Sequence, residues 1–372
     1  MLIGQLGIRL VLWMGETVPR PAPEELLQSL TEVEVTNDID EGDGFSLKFT
    51  LHRDRLGDFA GLQNSAIAAG SRVIIGVLLG ITPEVLIDGT IDHQQLNPGD
   101  NPNTATLTLM GKDLTTELGL EEKNAQHPNQ PDSLIVTQII LNYAQFGLVP
   151  EVTPTTDVPI SLQRITRQQE TDLQFLRRLA ERNGFVFYIE PLTFGTNRAH
   201  WGPENRLSIP QPALSLNMGG ATTIESLQFS NNSLAPTSTQ GSFVEPITRT
   251  RIPIPSLPSL RIPPLAATPV AARRTTVLRD TANQNPAQAA QTAIATVTNT
   301  PDAVEGEGEL RTVRYGTILR ARRLVGVRGV GRTYDGNYLV KHVTHRISRG
   351  DYTQAFTVRR EGTGTLLPVV RP

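Results

Sequence analysis

The sequence predicts a mainly β chain interrupted by an α+β insertion, and three observations carry that reading. Aromatic residues are only 5% of the 372, while Gly 31 and Pro 27 are plentiful, a balance that favours short strands and turns over a helical bundle. Apolar Phe45, Leu47, Phe49 and Leu51 alternate with polar Ser46, Lys48 and Thr50, the two-residue period of a half-buried strand. Against that background one stretch, QQETDLQFLRRLAERNGFVFYIEP at 168–191, spells a complete helix followed at once by a strand.

In chain order, a strand-like run from Gly7 to Met14 leads into a loop punctuated by Pro19, Pro21 and Pro23. Leu30 to Thr36 and Phe45 to Leu51 flank the turn-rich NDIDEGDG, and further strands are expected at Val73 to Leu79, Val85 to Ile91 and Thr104 to Met110. Strands at this spacing, with almost no helix, point to an antiparallel barrel. The pattern then changes. Asp132 or Ser133 can cap a helix that buries Ile135, Val136, Ile139, Ile140, Tyr143 and Phe146 and stops at Gly147. After Pro150 and Pro159 comes the second helix, where Thr171 and Gln174 form a capping box and Asp172 adds negative charge at the positive end of the helix dipole. Leu173, Phe175, Leu176, Leu179 and Ala180 share one face, and Asn183-Gly184 supplies the left-handed stop. Phe185 to Ile189 then runs as a strand until Pro191 withdraws a donor.

Beyond this unit the sequence turns polar, and Pro246, Pro253, Pro255, Pro258, Pro263, Pro264 and Pro269 exclude a helix or a central strand. Ile252, Ile254, Leu257, Leu260 and Ile262 lie among them, so an extended traverse docked on a surface is expected. Ala287 to Thr296 reads as a helix and Glu305 to Glu309 as a charged Gly loop. Strands are expected at Arg311 to Arg314, Ile318 to Arg323, Tyr338 to His345 and Tyr352 to Val358, with turns at Gly316, Asp335-Gly336 and Arg349-Gly350-Asp351.

Chemistry is sparse. Cys is 0, which excludes disulfides, thiolate metal sites and a Cys nucleophile. The net charge of -3 gives no global pull toward nucleic acid or an anionic membrane. The apolar run Leu10 to Met14 is too short for a bilayer, and without an export signal the chain is expected to be made in the cytoplasm. His342 and His345, three apart on an expected strand, point to opposite faces and cannot share a metal; His52, His93, His127 and His200 are isolated. The Gly326 to Gly331 loop lacks the Lys-Ser/Thr of a phosphate loop and no helix follows it, so it reads as a turn or bulge. No Gly-x-Ser-x-Gly elbow exists, and helix capping explains the carboxylates Glu170 and Asp172. No catalytic, cofactor or metal residue is therefore assigned. Arg320, Arg322, Arg323, Arg328 and Arg332 form a basic cluster without aromatic neighbours and with Glu305, Glu307 and Glu309 upstream, which favours a subunit interface or pore-lining rim over a nucleic-acid grip.

The acidic-Thr-Asp-Leu opening of the 170–184 helix, its Phe-Leu-Arg-Arg-Leu-Ala-Glu body and the aromatic strand after it resemble the late control gene D family of phage tail proteins. They are similar too to the hub region of type VI secretion spike proteins and to hubs of extracellular contractile injection systems. Gly111-Lys112-Asp113 matches the family's usual end of a strand, and Gly336, Tyr338, Val340, Val343, His345, Ile347, Gly350, Tyr352, Gln354, Phe356 and Arg359 match the spacing of its last hairpin. The resemblance implies a non-catalytic baseplate hub with two antiparallel β-barrel tube domains per chain. Three chains would make a pseudo-sixfold ring, a homotrimeric adapter between a hexameric inner tube protein and a trimeric spike protein, bordered by baseplate wedge proteins. The implied divisions are 1–111 for the first tube barrel, 112–217 for the insertion, 218–271 for a Pro-rich connector and 272–372 for a helix and the second barrel. Type VI spike proteins continue into a small barrel and a β-helical needle; this chain stops at Pro372, so the spike is expected to be a separate protein. Two other readings stay open. A tail-associated cell-wall or glycan hydrolase needs a cleft with a poised acid, and a receptor-binding β module needs aromatic platforms that Trp 2 does not supply.

Overall fold

In the computed structural model the described residues are 8–16, 18–53, 59, 65–80, 82–100, 105–157, 165–244, 250–254, 257–278 and 286–366. The expectations placed on Gly7, Thr104, Pro159, Pro246 and Pro255 lie outside them.

The first part of the chain is an antiparallel sheet: β1 (Ile8–Gly15), β2 (Arg20–Pro21), α1 (Glu24–Ser29), β3 (Leu30–Asp38), β4 (Gly44–Leu51), β5 (Arg72–Leu79), β6 (Thr82–Asn97) and β7 (Ala105–Asp113). Alternation decides which face is buried. Phe45, Leu47, Phe49 and Leu51 of β4 face a core with Val33, Val35, Leu107 and Leu109 from the neighbouring strands. Gly111 is required where β7 passes β6 and β4, because a Cβ there would lie 2.1 Å from the Thr90 carbonyl oxygen and 2.5 Å from the Phe45 ring.

The insertion comprises α2 (Thr115–Leu118), β8 (Glu122–His127), α3 (Asp132–Leu141), β9 (Leu148–Val152), β10 (Thr166–Thr171), α4 (Asp172–Asn183), β11 (Val186–Thr193) and β12 (Thr196–Gly202). The capping box forms as expected, with Thr171 Oγ1 accepting from Gln174 N–H and Gly184 closing α4 at φ 68. Phe175, Leu176, Leu179 and Ala180 pack on Trp201, Ile135 and Ile139. Three expectations are corrected. α3 ends at Leu141, and Gly147, at φ 74, closes a separate short turn at Ala144–Phe146, so Tyr143 and Phe146 lie beyond the helix and are only half-buried. Neither Asp132 nor Ser133 caps α3: the Asp132 carboxylate is held by Arg182 and Asn183, Ser133 Oγ accepts from the Thr155 N–H, and Thr155 Oγ1 in turn accepts from the first-turn Ser133 N–H at 3.1 Å. Pro191 does not end β11, which runs to Thr193 with an irregularity there; β11 is the edge of the sheet β11-β12-β9, where a missing donor is tolerated.

The rest of the chain contributes β13 (Gln211–Ser215), β14 (Ser226–Asn231), β15 (Thr237–Val244), β16 (Arg251–Ile254), β17 (Thr268–Pro269), β18 (Arg274–Val277) and α5 (Pro286–Thr298). It ends with β19 (Val304–Arg311), α6 (Thr312–Tyr315), β20 (Leu324–Arg328), β21 (Gly336–Ser348), β22 (Asp351–Arg360) and β23 (Gly362–Thr363). Glu305–Glu309, expected as a loop, is the body of β19, because Gly306 and Gly308 leave room for the Phe229 and Phe356 rings of the flanking strands. Arg311–Arg314, expected as a strand, turns into α6, which Gly316 stops at φ 80. Ile318–Arg323 is no strand either: Gln354 and Gln211 side chains accept from Leu319 N–H and Arg320 N–H, taking the place of a ladder. The Pro-rich stretch is docked where it is described, with Ile254, Leu265 and Ala266 buried.

One pairing joins the beginning and end of the chain. β21 runs antiparallel to β3 from His342↔Asp38 to Ser348↔Glu32, so a single sheet follows the path β14-β19-β22-β21-β3-β4-β7-β6-β5-β1-β2. Ile347 and Tyr352 from the last hairpin enter the core beneath β3 and β4, while a second core under β19–β22 gathers Val340, Val343, Phe356 and Val358. The chain is mainly β with an α+β insertion, as expected; among the described residues this path stays open and no closed barrel is seen, and the two cores lie under the first and last parts of one sheet.

Gly111→Ala is expected to destabilise the chain by about 1–3 kcal/mol, since the obstructing atoms are backbone and a buried ring. Gly70→Ala, where nothing lies within 4 Å, carries only the strain of φ 86, about 1 kcal/mol. Urea denaturation of the two variants checks the ordering.

Candidate functional site

The features that stand out are a seam of buried ion pairs, a polar sheet face and two open sheet ends. The seam is built from Asp43, in the turn between β3 and β4. Its carboxylate accepts from Asn37 Nδ2 at 2.9 Å, Asp38 N–H at 3.0 Å, and Arg322 Nη1 and Nη2 at 2.9 and 2.5 Å. Arg322, at φ 66 before β20, also donates to the Asp38 carbonyl at 2.6 Å and lays its guanidinium 4.4 Å from the Tyr188 ring centre on β11. Burial disfavours the Arg322 charge, but Asp43 outweighs it and raises the pKa. First sheet, insertion and last sheet therefore meet on one forked ion pair.

Asp113, from the Gly-x-Asp strand end, faces the same cluster. One of its oxygens accepts from Thr115 N–H and Oγ1, and the other is buried without a partner. Burial, then the charge of Asp43, raises its pKa to about 7 against the Thr115 hydrogen bonds and Arg322.

Two further clusters staple the same units. Arg72 Nη2 meets Asp88 at 2.7 Å and donates to the Phe146 carbonyl, while Asn197 Nδ2 reaches Asp88 at 2.8 Å. Arg206, Arg261 and Arg359 interleave with Glu204, Asp302 and Glu361; Arg359–Glu204 is 2.7 Å, Arg206–Glu361 2.9 Å and Arg261–Asp302 3.1 Å. Glu361 also accepts from the Leu265 and Ala266 N–H groups, which pins the Pro-rich stretch. A cleft of about 440 Å³ opens beside this cluster.

The basic cluster expected to form a rim is divided. Arg320 binds Glu84 and the Val85 carbonyl, Arg322 is in the seam, and Arg323 meets Glu190 at 3.1 Å, so these three hold the chain to itself. Arg328 and Arg332 are exposed. His342 pairs with Asp38 at 2.8 Å, whereas buried His345 meets the Tyr352 hydroxyl at 2.9 Å, so the two histidines do diverge. Burial opposes the Asp38 charge, yet the His342 hydrogen bond and the Glu41 and Asp40 N–H groups hold its carboxyl at about 2. Burial, then Arg320, pushes His345 down to about 3, so it stays neutral. Asp172 accepts from Lys123, Tyr143 and Gln168, and Glu170 from Arg178; the cap of α4 is Thr171 with Gln174, so side-chain pairing and not capping accounts for both carboxylates. Gly329 and Gly331 turn at φ 83 and 90 after β20, and Arg349-Gly350-Asp351 is the tight β21–β22 turn with Gly350 at φ 85.

Opposite the cores, the long sheet presents a polar face that crosses the β3–β21 junction without interruption. In register across it lie Gln228, Glu307, Thr357 and His342, then Glu309, Ala355, Thr344, Thr36 and Gly44, then Thr353, Arg346, Glu34 and Ser46. Among the described residues, no strand pairs with the outer edge of β14 at one end of the path, and at the other β2 pairs only with Trp13 and Met14 of β1. Sequence reasoning missed the seam, because Asp43 and Arg322 are 279 positions apart.

No protein-family model and no curated protein matches the chain. Solved structures do. A tail protein from Neisseria meningitidis MC58 superposes with a TM-score of 0.65 at 14% identity, over 95% of this chain and 97% of its own. The 43 kDa tail protein of prophage MuSo2 from Shewanella oneidensis gives 0.64 at 15%, over 95% and 98%. The E. coli c3393 protein gives 0.55 at 12%, over 92% and 78%; it is described as a type VI secretion component structurally similar to the T4 tail proteins gp27 and gp5. The chain thus has the fold of these tail and secretion proteins, and among its described residues no helix is long and apolar enough to cross a membrane.

Unfolded, Asp113 loses its proton near pH 4; folded, it keeps it to about 7. The folded chain binds the extra proton between those values, so this group's contribution to stability falls as pH rises through that window and is level above it. Asp113→Asn is expected to remove that slope, its advantage over the parent chain growing between pH 5 and pH 8. Denaturation midpoints of both at the two pH values test it. Arg322→Met, which strands Asp43, is expected to cost about 3–5 kcal/mol at either pH.

Proposed function

We propose that the chain is a non-catalytic baseplate hub of a contractile phage tail or extracellular injection particle. Three copies act as a symmetry adapter between a hexameric inner tube and a trimeric spike, with wedge proteins outside. Residues 1–111 and 272–372 serve as two quasi-equivalent tube units, 112–217 as a peripheral insertion and 218–271 as the connector across them. The chain is made in the cytoplasm and incorporated into the particle. The observation that carries this reading is the long sheet, with its two cores on one side, its polar face on the other and a free edge at each end.

Such a sheet suits head-to-tail closure. The β14 edge of one copy meets the β1–β2 edge of the next, three such contacts complete a ring of six sheet halves, and the exposed edges disappear. The Thr, Ser and Glu side chains of the polar face then line a hydrated passage, while the buried ion pairs keep each copy rigid enough to hold its place in the ring. The fold likeness to tail proteins supports the same reading.

Mass photometry of the purified chain mixed with its spike partner is expected to give a trimer of this chain. A stable monomer in that mixture would overturn the proposal.

A further inference from the structure

Strand β18 lies outside the long sheet and outside both of its ends. It pairs in parallel with β15 through Thr237–Gln240, and β16 flanks β15 on the other side. Both faces of β18 are open: no residue from 271 to 277 is buried, and Val277 is 64% exposed. The small sheet β16-β15-β18 is held by a core of Ile254 and Leu278 with Ala289 and Ala293 of α5, to which the residues of β18 itself contribute no buried side chain.

The direction of the backbone groups follows from one hydrogen bond. Leu278 N–H donates to the Gln240 carbonyl. In a parallel ladder alternate residues turn N–H and C=O toward the partner, so Arg274 and Thr276 face β15 as Leu278 does. Thr275 and Val277 therefore turn both groups away, and among the described residues no strand pairs with that side. Such an edge is a template for one more strand.

Charge selects the kind of strand. The residues of β15, β16 and β18 include Arg251 and Arg274 and no carboxylate, and Arg273 adjoins them. Among the described residues neither Arg273 nor Arg274 stands in an ion pair, in a chain whose other arginines are so often paired.

We propose that the outer edge of β18 is a strand-addition site for an extended, carboxylate-bearing segment of a partner protein. Thr275 and Val277 supply the backbone hydrogen bonds, Arg273 and Arg274 pair with the carboxylates, and Val277 covers an apolar side chain of the incoming strand.

Fluorescence anisotropy with a labelled nonapeptide of alternating Glu and Val, against one of alternating Lys and Val, tests this on the full chain. The Glu/Val peptide is expected to bind, more weakly at high salt, and the Lys/Val peptide is not. Thr275→Pro removes the outward N–H together with the Thr275 Oγ1···Ser238 Oγ contact at 3.1 Å and leaves the backbone ladder to β15 intact, whereas Thr275→Val removes that contact alone; the proline variant is expected to bind at least ~10-fold more weakly than Thr275→Val at a matched denaturation midpoint. The double variant Arg273→Glu with Arg274→Glu is expected to reverse the preference between the peptides. No binding by the parent chain, or equal binding by Thr275→Pro, overturns the proposal. So does binding of a labelled oligothymidylate in preference to the Glu/Val peptide. Self-association of the parent chain that Thr275→Pro abolishes would assign the edge to a second copy, and that too would overturn it.

Discussion

The antiparallel pairing of β3 with β21, locked by the fork between Arg322 and Asp43, is the constraint on which the architecture depends. Strands at opposite ends of a 372-residue chain must be brought side by side at a large cost in chain entropy, and one ladder from His342↔Asp38 to Ser348↔Glu32 does not offset it alone. The hairpin carrying β21 also drives Ile347 and Tyr352 into the core of the first sheet, so burial and pairing are satisfied by the same register. A slip of one residue would turn Ile347 to the polar face and His342 away from Asp38. The ion pair then fixes what the hydrophobic contacts leave loose: only one placement of Arg322 reaches Asp43, the Asp38 carbonyl and the Tyr188 ring together.

Local signals were legible and non-local ones were not. The helix of the 168–191 unit could be read because its ends are decided within a few residues: Thr171 and Gln174 cap each other, and Gly184 takes the left-handed turn; the strand β10 before it and the end of β11 beyond Pro191, which depend on partner strands, were not. The β4 alternation was equally plain, since both of its neighbours bury the same parity. Failures came where the deciding partner sits elsewhere in the chain. Glu305–Glu309 alternates as a strand should, but glycine occupies the inward positions, and the rings that fill that space belong to β14 and β22. Ile318–Arg323 has strand composition, yet its N–H groups are satisfied by Gln354 and Gln211 side chains, which no period reveals. At α3 an ordinary cap was on offer, and Asp132 serves Arg182 and Asn183 across the fold instead. The arginine cluster misled for the same reason: its density was visible, its carboxylate partners were not.

Those buried charges bear on specificity more than on net stability. Removing Arg322, Arg206 or Arg359 from water is costly, and well-packed apolar residues could fill the same volumes at no worse free energy. What apolar residues could not do is discriminate among placements of the first sheet, the insertion and the last sheet. Each cluster spans at least two of these units, and in each the charged groups are multiply bonded, as Arg72 is to Asp88 and Phe146, Arg322 to Asp43 and Asp38, and Arg359 to Glu204 and Asp302. Asp302 shows how tightly the surroundings are drawn, since burial raises its pKa even beside Arg261, Arg359 and Arg206.

Interior and margin differ in degree: the interior is densely paired, though atoms such as Asp113 Oδ2 stay without a partner, whereas whole strand edges are open at the margin of the described residues. Inside, backbone and charge find partners across separations of hundreds of residues, and even the Pro-rich stretch is held through Glu361. At the margin, β14 keeps an open edge, β1 is covered only at Trp13 and Met14, and β18 buries neither face. Natural sheets ordinarily blunt such edges with charge, proline or a covering helix, because an open ladder recruits whatever strand comes near. Among the described residues the ion pairs are thus concentrated inside the fold, while three strand edges keep backbone groups that no other strand of the chain takes up.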